Sequence, residues 1–392
     1  MKMLKLLLLP LLCFSLEFDE MIEVALQKSP QVLAKYEKVL ASRHAIDAEV
    51  VYKNPIISIG VNDMPLNDNF FKRDIESMQT QFIGISQEFE TFGKLDLKES
   101  MLRVDTLILE YELEDLRIEL YKKIALLVEE IYTKESILEI VEQRKANLRV
   151  LLNYYERSVS LSDSLKVSVE LSRKIFKLED ESFELKDEIT SLKHEFKYLS
   201  SQEFRDVKRA KIDDDFRDDG LKNSPAAKIL ELRTKRFELQ STLEQRKKYS
   251  NITLSMSYNN RQNFDDYLSF STSFALPIYG AEDAKVKVAK AGASEALQKQ
   301  SDFHKSRVSL FHKNKKRVEY LKKRLMSLED LQQRYTELEA YENSSIASSI
   351  TLEKKIENEN LLLELKVQKL RYFLDKKRAE FELYYITKES LS

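Results

Sequence analysis

Hydrophobic and polar residues alternate along this chain with two different periods. In four short segments, 54–64, 80–91, 251–258 and 268–276, apolar residues, mostly Ile, Leu, Val or aromatic, occupy most alternate positions. The intervening positions are mostly Ser, Thr, Asn or Gly. This period of two predicts β-strands, each with one apolar and one small polar face. Elsewhere apolar residues recur every three or four positions, as in the leucine-rich row from Leu109 to Ile131, which predicts amphipathic helices.

The same order of segments occurs twice in the chain. A helix opened by Ser-Pro, a pair of strands, a glycine and a very long helical stretch make up each copy. Gly93 and Gly280 are 187 residues apart, and so are Tyr154 and Tyr341. Neither copy can bury its surfaces alone, so the two copies are expected to pack together. The predicted fold class is mainly α with a small β portion, built from a duplicated helix, β-hairpin, long helix and helix.

Glycine and proline mark the boundaries between these segments. Neither residue occurs within 94–219 or 293–392, and both break helices. The first uninterrupted stretch would form a helix of roughly 95 Å before it reverses near the serine-rich 158–164 segment. We therefore divide the chain into 16–53 (N-terminal helices), 54–92 (first hairpin), 93–200 (first helical hairpin), 201–222 (charged linker), 223–249 (upper helix), 250–279 (second hairpin) and 280–392 (second helical hairpin).

Residues 1–15 have the pattern of a secretory signal peptide. Lys2 and Lys5 precede an apolar run, and Cys13-Phe14-Ser15 is a small-x-small cleavage site. Lipidation at Cys13 is the alternative, although Leu12 is bulkier than a lipobox prefers.

The net charge of −2 provides no basic surface for nucleic acid, so we expect no nucleic-acid partner.

The sequence offers no constellation for catalysis, a cofactor or a metal ion. Its four histidines form no i, i+4 ligand pair, and Cys13 is the only cysteine. The acidic run at 213–219 lacks the alternating ligand spacing of a calcium loop, and a solvated linker explains it better. We therefore expect a protein that is not an enzyme.

The strand pattern is that of a membrane barrel. Strands of about 9 to 11 residues can cross a bilayer when tilted, and the Ser, Thr, Asn and Gly faces suit a crowded aqueous lumen. Four strands cannot close a barrel, and unpaired edges are not tolerated in lipid. Three copies would pool twelve strands. The alternative is a soluble sheet with one face on a core.

These residues resemble the TolC-like outer membrane efflux proteins, also called outer membrane factors. The resemblance rests on the duplication, on Asn54-Pro55 before the first strand and on the strand-to-helix junctions at Phe92-Gly93 and Pro277 to Gly280. It implies a homotrimer with a twelve-stranded barrel in the outer membrane and an α-helical barrel in the periplasm. It also implies a periplasmic adaptor and an inner-membrane pump of the resistance–nodulation–division or ABC type as partners. The short loops resemble the heavy-metal branch that includes CusC and CzcC.

The resemblance further implies two tip turns that dock the adaptor. Ser160, Asp163 and Leu165 match the family's tip pattern in copy one, whereas Ala347 departs from it and Leu352 matches in copy two. Arg157 and Ser344 replace the tip glycines. Ile350 and Glu353 occupy the positions at which some members carry aspartate rings. Three Glu353 side chains meeting on a threefold axis would favour cations, so these two residues are the candidate pore constriction.

Two other functions remain open at this level. An exit duct for type I protein secretion would share the architecture, and a periplasmic coiled-coil structural protein would share the helices. Cargo is not readable from the sequence, since no Met or His ladder lines any segment.

Overall fold

The computed structural model describes residues 17–66, 72–73, 75–157, 162–205, 207–212, 215–342 and 351–391. The elements of copy one are α1 (Phe18–Lys28), α2 (Pro30–Glu49), β1 (Ile56–Asn62), β2 (Thr80–Phe89), α3 (Lys94–Arg157) and α4 (Ser162–Ser200). The elements of copy two are α5 (Gly220–Asn223), α6 (Pro225–Arg246), β3 (Ile252–Arg261), β4 (Tyr267–Ser273), α7 (Ala281–Glu342) and α8 (Leu352–Thr387). The predicted fold class, mainly helical with a duplicated plan and four strands, is confirmed.

Strand ends differ from the sequence pattern by a few residues. The alternation predicts a last strand over 268–276, whereas β4 ends at Ser273 and leaves Phe274 and Leu276 outside the sheet. The third strand continues beyond Tyr258 to Arg261, because β2 offers backbone partners as far as Thr80. Alternation reports which side a residue faces, but the partner strand decides where pairing stops.

Two compact units make up the fold. One, the strand unit, comprises Lys35–Glu112 and Ala226–Phe303; the other, the helical unit, comprises Met1–Ala34, Leu113–Pro225 and His304–Ser392. The strand unit holds an antiparallel sheet in the order β1-β2-β3-β4. Its helices pack through a small cluster of Val104 and Ile108 on α3 with Ile229 on α6. Arg236 on α6 also pairs with Asp105 on α3 at 2.6 Å.

The core of the helical unit lies around α3. Residues of α1, α3, α4, the linker and α8 share one buried cluster, with Ile124, Ile131 and Phe381 at 0% exposure. Farther along α3, Ile137 and Val141 pack with Leu178 and Leu185 of α4 and Val367 of α8. α3 therefore contacts both α4 and α8, and α7 pairs with α8 through Arg317–Asp375 (3.4 Å) and Lys369–Glu329 (2.8 Å).

The charged linker is only partly exposed to solvent. Asp215, Arg217, Asp218 and Asp219 are exposed, as expected for an acidic run. Its flanks are different: Val207 and Ala210 enter the main core, and Leu221 is buried beside α8. Arg209 reaches the carboxylate of Glu129, a buried residue of α3, at 3.2 Å. The sequence showed the charges of this segment but not its anchors.

Helix ends follow local rules. Pro30 opens α2 directly after Ser29 has closed α1, a position at which proline needs no backbone partner. The Thr351 side chain accepts a hydrogen bond from the backbone N–H of Lys354 at 3.4 Å and so caps α8. Among the described residues, no helix combines the length and apolar character that a membrane span requires.

Candidate functional site

One face of the sheet is apolar across all four strands. The register places Ile59 opposite Ile83, Ile83 opposite Tyr258, and Tyr258 opposite Leu268. A second row joins Ile57, Ile85, Met256 and Phe270 in the same way. These side chains are largely exposed, with Ile59 at 79% and Phe270 at 73%. The strand unit therefore presents a continuous apolar surface.

The opposite face is lined by small polar residues. One row runs through Ser58, Gly84, Ser257 and Ser269. Asn259 lies one pair farther along and donates to the Ser269 hydroxyl at 3.1 Å. Phe82 and Tyr267 also lie on this face, beside Gly60 and Asn259. The sheet therefore has one apolar face and one mainly small and polar face, which is the division that a lipid-facing and water-facing wall requires.

The first strand-to-helix junction is held by a buried lysine. Phe92 and Gly93 both have positive φ, +58° and +63°, so the chain reverses sharply before α3. Lys94 is 5% exposed, and its ammonium donates to the Tyr249 carbonyl and to Asn251 Oδ1, both at 2.5 Å. Burial lowers the pKa of Lys94. This side chain ties the start of α3 to the segment that enters β3.

Further bonds complete the first junction. The Arg246 guanidinium donates to the Phe92 carbonyl, and the Thr91 hydroxyl donates to the Ser250 carbonyl at 2.8 Å. The rings of Phe92 and Tyr249 lie 4.6 Å apart. Together these contacts connect the end of β2 with the end of α6.

The second junction has the same backbone but fewer contacts. Gly280 has φ +70°, and a Cβ there would meet no atom within 4 Å. At Gly93 the same added atom would lie 2.7 Å from Arg246 Nη1. Pro277 and the residues around it are exposed. The sequence motif predicted both turns, yet only the first is enclosed within the chain.

At the far end of α3 the candidate constriction residue has a partner. Tyr155 Oη donates to Glu353 Oε2 at 2.7 Å, joining the last turns of α3 to the first turn of α8. This hydrogen bond to a carboxylate raises the pKa of Tyr155 to about 12. Leu151, Leu171 and Ile356 pack beside it. Glu353 is half-buried, so the structure places it against its own chain.

The other predicted tip residues are distributed around this point. Leu165 and Leu352 are both exposed and lie in the first turns of α4 and α8. Asp163 lies in α4, and its side chain is outside the description. Ser160, Ala347 and Ile350 lie outside the described residues, as do Cys13 and the predicted signal peptide.

Sequence reasoning missed the residues that anchor these regions. Lys94, Arg246 and Tyr155 contact partners that are 154 to 198 residues away in the chain. The only available signal was a lysine directly after the Phe92-Gly93 turn. Within the described residues, no group of three or more His, Cys, Asp or Glu side chains is arranged to hold a metal ion.

Solved structures share this arrangement over nearly the whole chain. The open-state MtrE outer membrane channel of Neisseria gonorrhoeae aligns with a TM-score of 0.78 at 12% identity, covering 94% of this chain and 88% of that one. The Campylobacter jejuni CmeC outer membrane channel aligns at 0.73 and 12% identity, covering 96% and 87%. CusC aligns at 0.71 and 13% identity, covering 94% and 91%.

The chain has the fold of the outer membrane channels. The fold that the sequence motifs implied is thus confirmed across both copies. No family model matches the chain, and no curated protein sequence does so either. Three-dimensional arrangement therefore carries the likeness, with sequence identity of only 12 to 13% to these three structures.

Proposed function

We propose that this protein is one subunit of a trimeric exit duct in the outer membrane. Three copies pool their strands into a twelve-stranded barrel, and their long helices form a conduit in the periplasm. Cargo passes outward without chemistry by the duct itself. A periplasmic adaptor and an inner-membrane pump deliver it, so the duct serves a tripartite efflux system.

The exposed apolar face of the sheet carries this proposal. Ile57, Ile59, Ile83 and Phe270 lie on one surface, and each is at least half exposed. Apolar surface in water is unfavourable by about 25 cal/mol for each Å². A continuous apolar face, on a sheet whose central strands β2 and β3 each have 10 residues and can cross a bilayer, is therefore best explained by contact with lipid.

The edges of the sheet support assembly. β1 and β4 each pair on one side only within the described chain. An unpaired strand edge cannot remain in lipid, because each free backbone group there costs several kcal/mol. Pairing β4 of one copy with β1 of the next closes the barrel and satisfies both edges.

Glu353 remains the proposed constriction, together with Ile350. Its bond to Tyr155 holds the carboxylate on α8 close to α3. In a threefold assembly the same bond would fix three carboxylates around the axis and leave each with oxygen atoms for cations.

Electron microscopy of the detergent-extracted outer membrane fraction tests the proposed function. We expect a threefold particle with a membrane-embedded barrel and a hollow stalk on the order of 100 Å long. A solid rod, or protein that leaves the membrane without detergent, would instead favour a soluble structural protein. If the duct is established, affinity purification of the intact complex identifies the pump and so separates efflux from protein secretion.

A further inference from the structure

Helix α4 carries an apolar row that its own chain leaves exposed. The α4 residues Leu171, Ile175, Leu178 and Leu185 are buried. On the other side of the helix lies what we call the α4 outer row: Leu165, Val169, Phe176, Asp180, Phe183 and Asp187. Phe176 is 68% exposed and Phe183 is 65% exposed. Large aromatic side chains at heptad spacing on an exposed helix face indicate contact with another helix.

In the second copy of the repeat, the residues that correspond to the α4 outer row are mostly buried. The α8 residues that correspond to the α4 outer row, 187 positions later, are Leu352, Ile356, Leu363, Val367, Leu370 and Leu374. Ile356, Leu363, Val367 and Leu374 are buried. Leu151 of α3 packs on Ile356, and Ile137 and Val141 of α3 pack with Val367. The face that α8 buries against α3 is thus the face that α4 exposes.

The helix that corresponds to α3 is α7, and it too has an exposed row. We call it the α7 outer row: Lys316, Tyr320, Lys323, Ser327, Arg334 and Leu338. Tyr320 is 49% exposed and Leu338 is 40% exposed. Phe311, Val318, Leu321 and Leu328, by contrast, face the interior of the helical unit.

The two outer rows match in charge and in spacing. Asp180 and Asp187 are seven residues apart, and so are Lys323 and Lys316. When α4 and α7 run antiparallel with Asp180 opposite Lys323, five further pairs follow in register. They are Leu165 with Leu338, Val169 with Arg334, Phe176 with Ser327, Phe183 with Tyr320, and Asp187 with Lys316. We infer that α4 of one copy packs against α7 of the next copy in this alignment.

The ends of the helices agree with this alignment. α4 begins at Ser162 and α7 ends at Glu342, so the two ends lie level to within one residue. The contacts between α3 and α8 within the chain have nearly the same antiparallel alignment, as shown by Ile137 beside Val367. The residues at the corresponding positions of the repeat are Arg324 on α7 and Asp180 on α4. Asp180 would therefore lie within one residue of Lys323, its proposed partner.

The four charged residues that this alignment pairs with each other are available for such contacts. Asp180, Asp187, Lys316 and Lys323 are exposed, and none forms an ion pair within the part of the chain that the structure describes. Because different helices of the two copies meet, the interface is heterologous and closes only as a ring. The number of copies in that ring rests on the proposed function, whereas the pairing of the rows does not.

Disulfide cross-linking in isolated membranes tests the alignment. Chains that carry Asp180→Cys with Lys323→Cys, or Asp187→Cys with Lys316→Cys, should give a covalent ring on a non-reducing gel. The matched control is Asp180→Cys with Lys316→Cys, which misplaces the partner by seven residues, or roughly 10 Å. Chains with a single introduced cysteine, in a Cys13→Ser background, report random collision. Cross-linking of the control as strongly as the matched pairs would overturn the alignment.

Charge reversal provides a second test that does not depend on cysteine geometry. Asp180→Lys with Asp187→Lys should weaken the ring about tenfold, because lysines would then face lysines. Lys316→Asp with Lys323→Asp should do the same, and all four changes together should restore assembly. Glu170→Lys with Glu195→Lys, exposed on another face of the same helix, is the matched control and should change little.

The two proposals fail in different ways. In-register cross-links in protein that is soluble without detergent would remove the outer membrane duct and keep the α4–α7 pairing. A threefold barrel particle without these cross-links, and without rescue by the fourfold variant, would keep the duct and remove the pairing.

Discussion

Helices α3 and α7 occupy the same place in the repeat but different environments in the chain. α3 is covered on several sides, since it contacts α1, α4, the linker and α8. Three of its fully buried positions correspond to exposed basic positions of α7. The pairs are Ile118 and Lys305, Ala125 and His312, and Val128 and Lys315.

This difference shows that the two copies of a duplicated chain can have different structural roles. The first copy supplies the helix around which one chain folds. The second copy supplies a helix with one buried side and one charged side, as expected for an element at a subunit boundary. The strands do not follow this division, because in the described sheet each copy has one strand paired on both edges (β2, β3) and one strand paired on a single edge (β1, β4). Duplication provides similar elements, and their position in the assembly decides which side chains each can carry.

The largest expected effect comes from exchanging residues between the two helices. Ile118→Lys places an ammonium at a position with 0% exposure, so we expect a loss of about 4 kcal/mol in the free energy of unfolding, or failure to fold. Lys305→Ile at the corresponding exposed position should change stability by less than about 0.5 kcal/mol. Thermal unfolding of the detergent-purified proteins, followed by circular dichroism, measures both. Equal losses would mean that α3 and α7 are equivalent after all.

A smaller effect is expected at the two strand-to-helix junctions. Lys94→Met keeps the length of the side chain but leaves the Tyr249 carbonyl and Asn251 without their donor, at a cost of about 2 kcal/mol. The corresponding residue in copy two is Ala281, which is exposed, and Ala281→Met should be nearly neutral. Chemical denaturation with both variants checks the comparison. A neutral Lys94→Met would show that the first junction does not depend on this anchor.

Two substitutions at the Tyr155–Glu353 contact separate the effect of the Glu353 charge from the effect of the hydrogen bond that holds it. Tyr155→Phe removes the bond to Glu353 and should lower stability by about 1 kcal/mol. Glu353→Ala removes the charge as well, and should raise single-channel conductance and reduce block by divalent cations in planar bilayers. If Glu353 is the constriction, Tyr155→Phe keeps the cation block. Unchanged conductance and block in Glu353→Ala would exclude Glu353 as the constriction.

The Tyr155 bond also predicts a dependence on pH. The pKa of Tyr155 in the folded protein is about 12, above its ordinary value of 10. The contribution of this hydrogen bond to the free energy of unfolding is therefore complete below pH 10. It is lost as the pH rises from 10 to 12. The stability difference between the native protein and Tyr155→Phe should therefore shrink in that interval. A difference that stayed constant up to pH 12 would contradict the assignment.

The smallest effect concerns Glu142 of α3. Hydrogen bonds from Lys145, Ser182 and Lys186 lower the pKa of Glu142 to about 2. The contribution of Glu142 to the free energy of unfolding is therefore present above pH 4.5 and is lost as the pH falls towards 2. The side chain is partly exposed, so Glu142→Gln should cost only about 0.5 kcal/mol at pH 7. Unfolding curves at pH 7 and pH 3 measure whether the difference narrows. Glu329→Gln, at the corresponding position of α7, is the matched control.

Much of the fold was predictable because it depends on local patterns. Alternation identified the four strands, and the absence of glycine and proline identified α3 and α7 to within a few residues. The turns at Gly93 and Gly280 followed from the motif and are present. The candidate tip residues were less accessible to this reasoning. Glu353 was chosen by its position in a resemblance, and its partner Tyr155 lies 198 residues away.

The sequence by itself determined the periods, the breaks and the duplication, because each of these is set by neighbouring residues that share one element. It therefore determined the elements and their order. Tertiary structure alone decided which copy of each element is enclosed, that Lys94 anchors a junction, and that α8 buries the face that α4 exposes. These outcomes depend on contacts between residues far apart in the chain. A repeat that specifies two similar helices cannot specify locally which of them will lie at the edge.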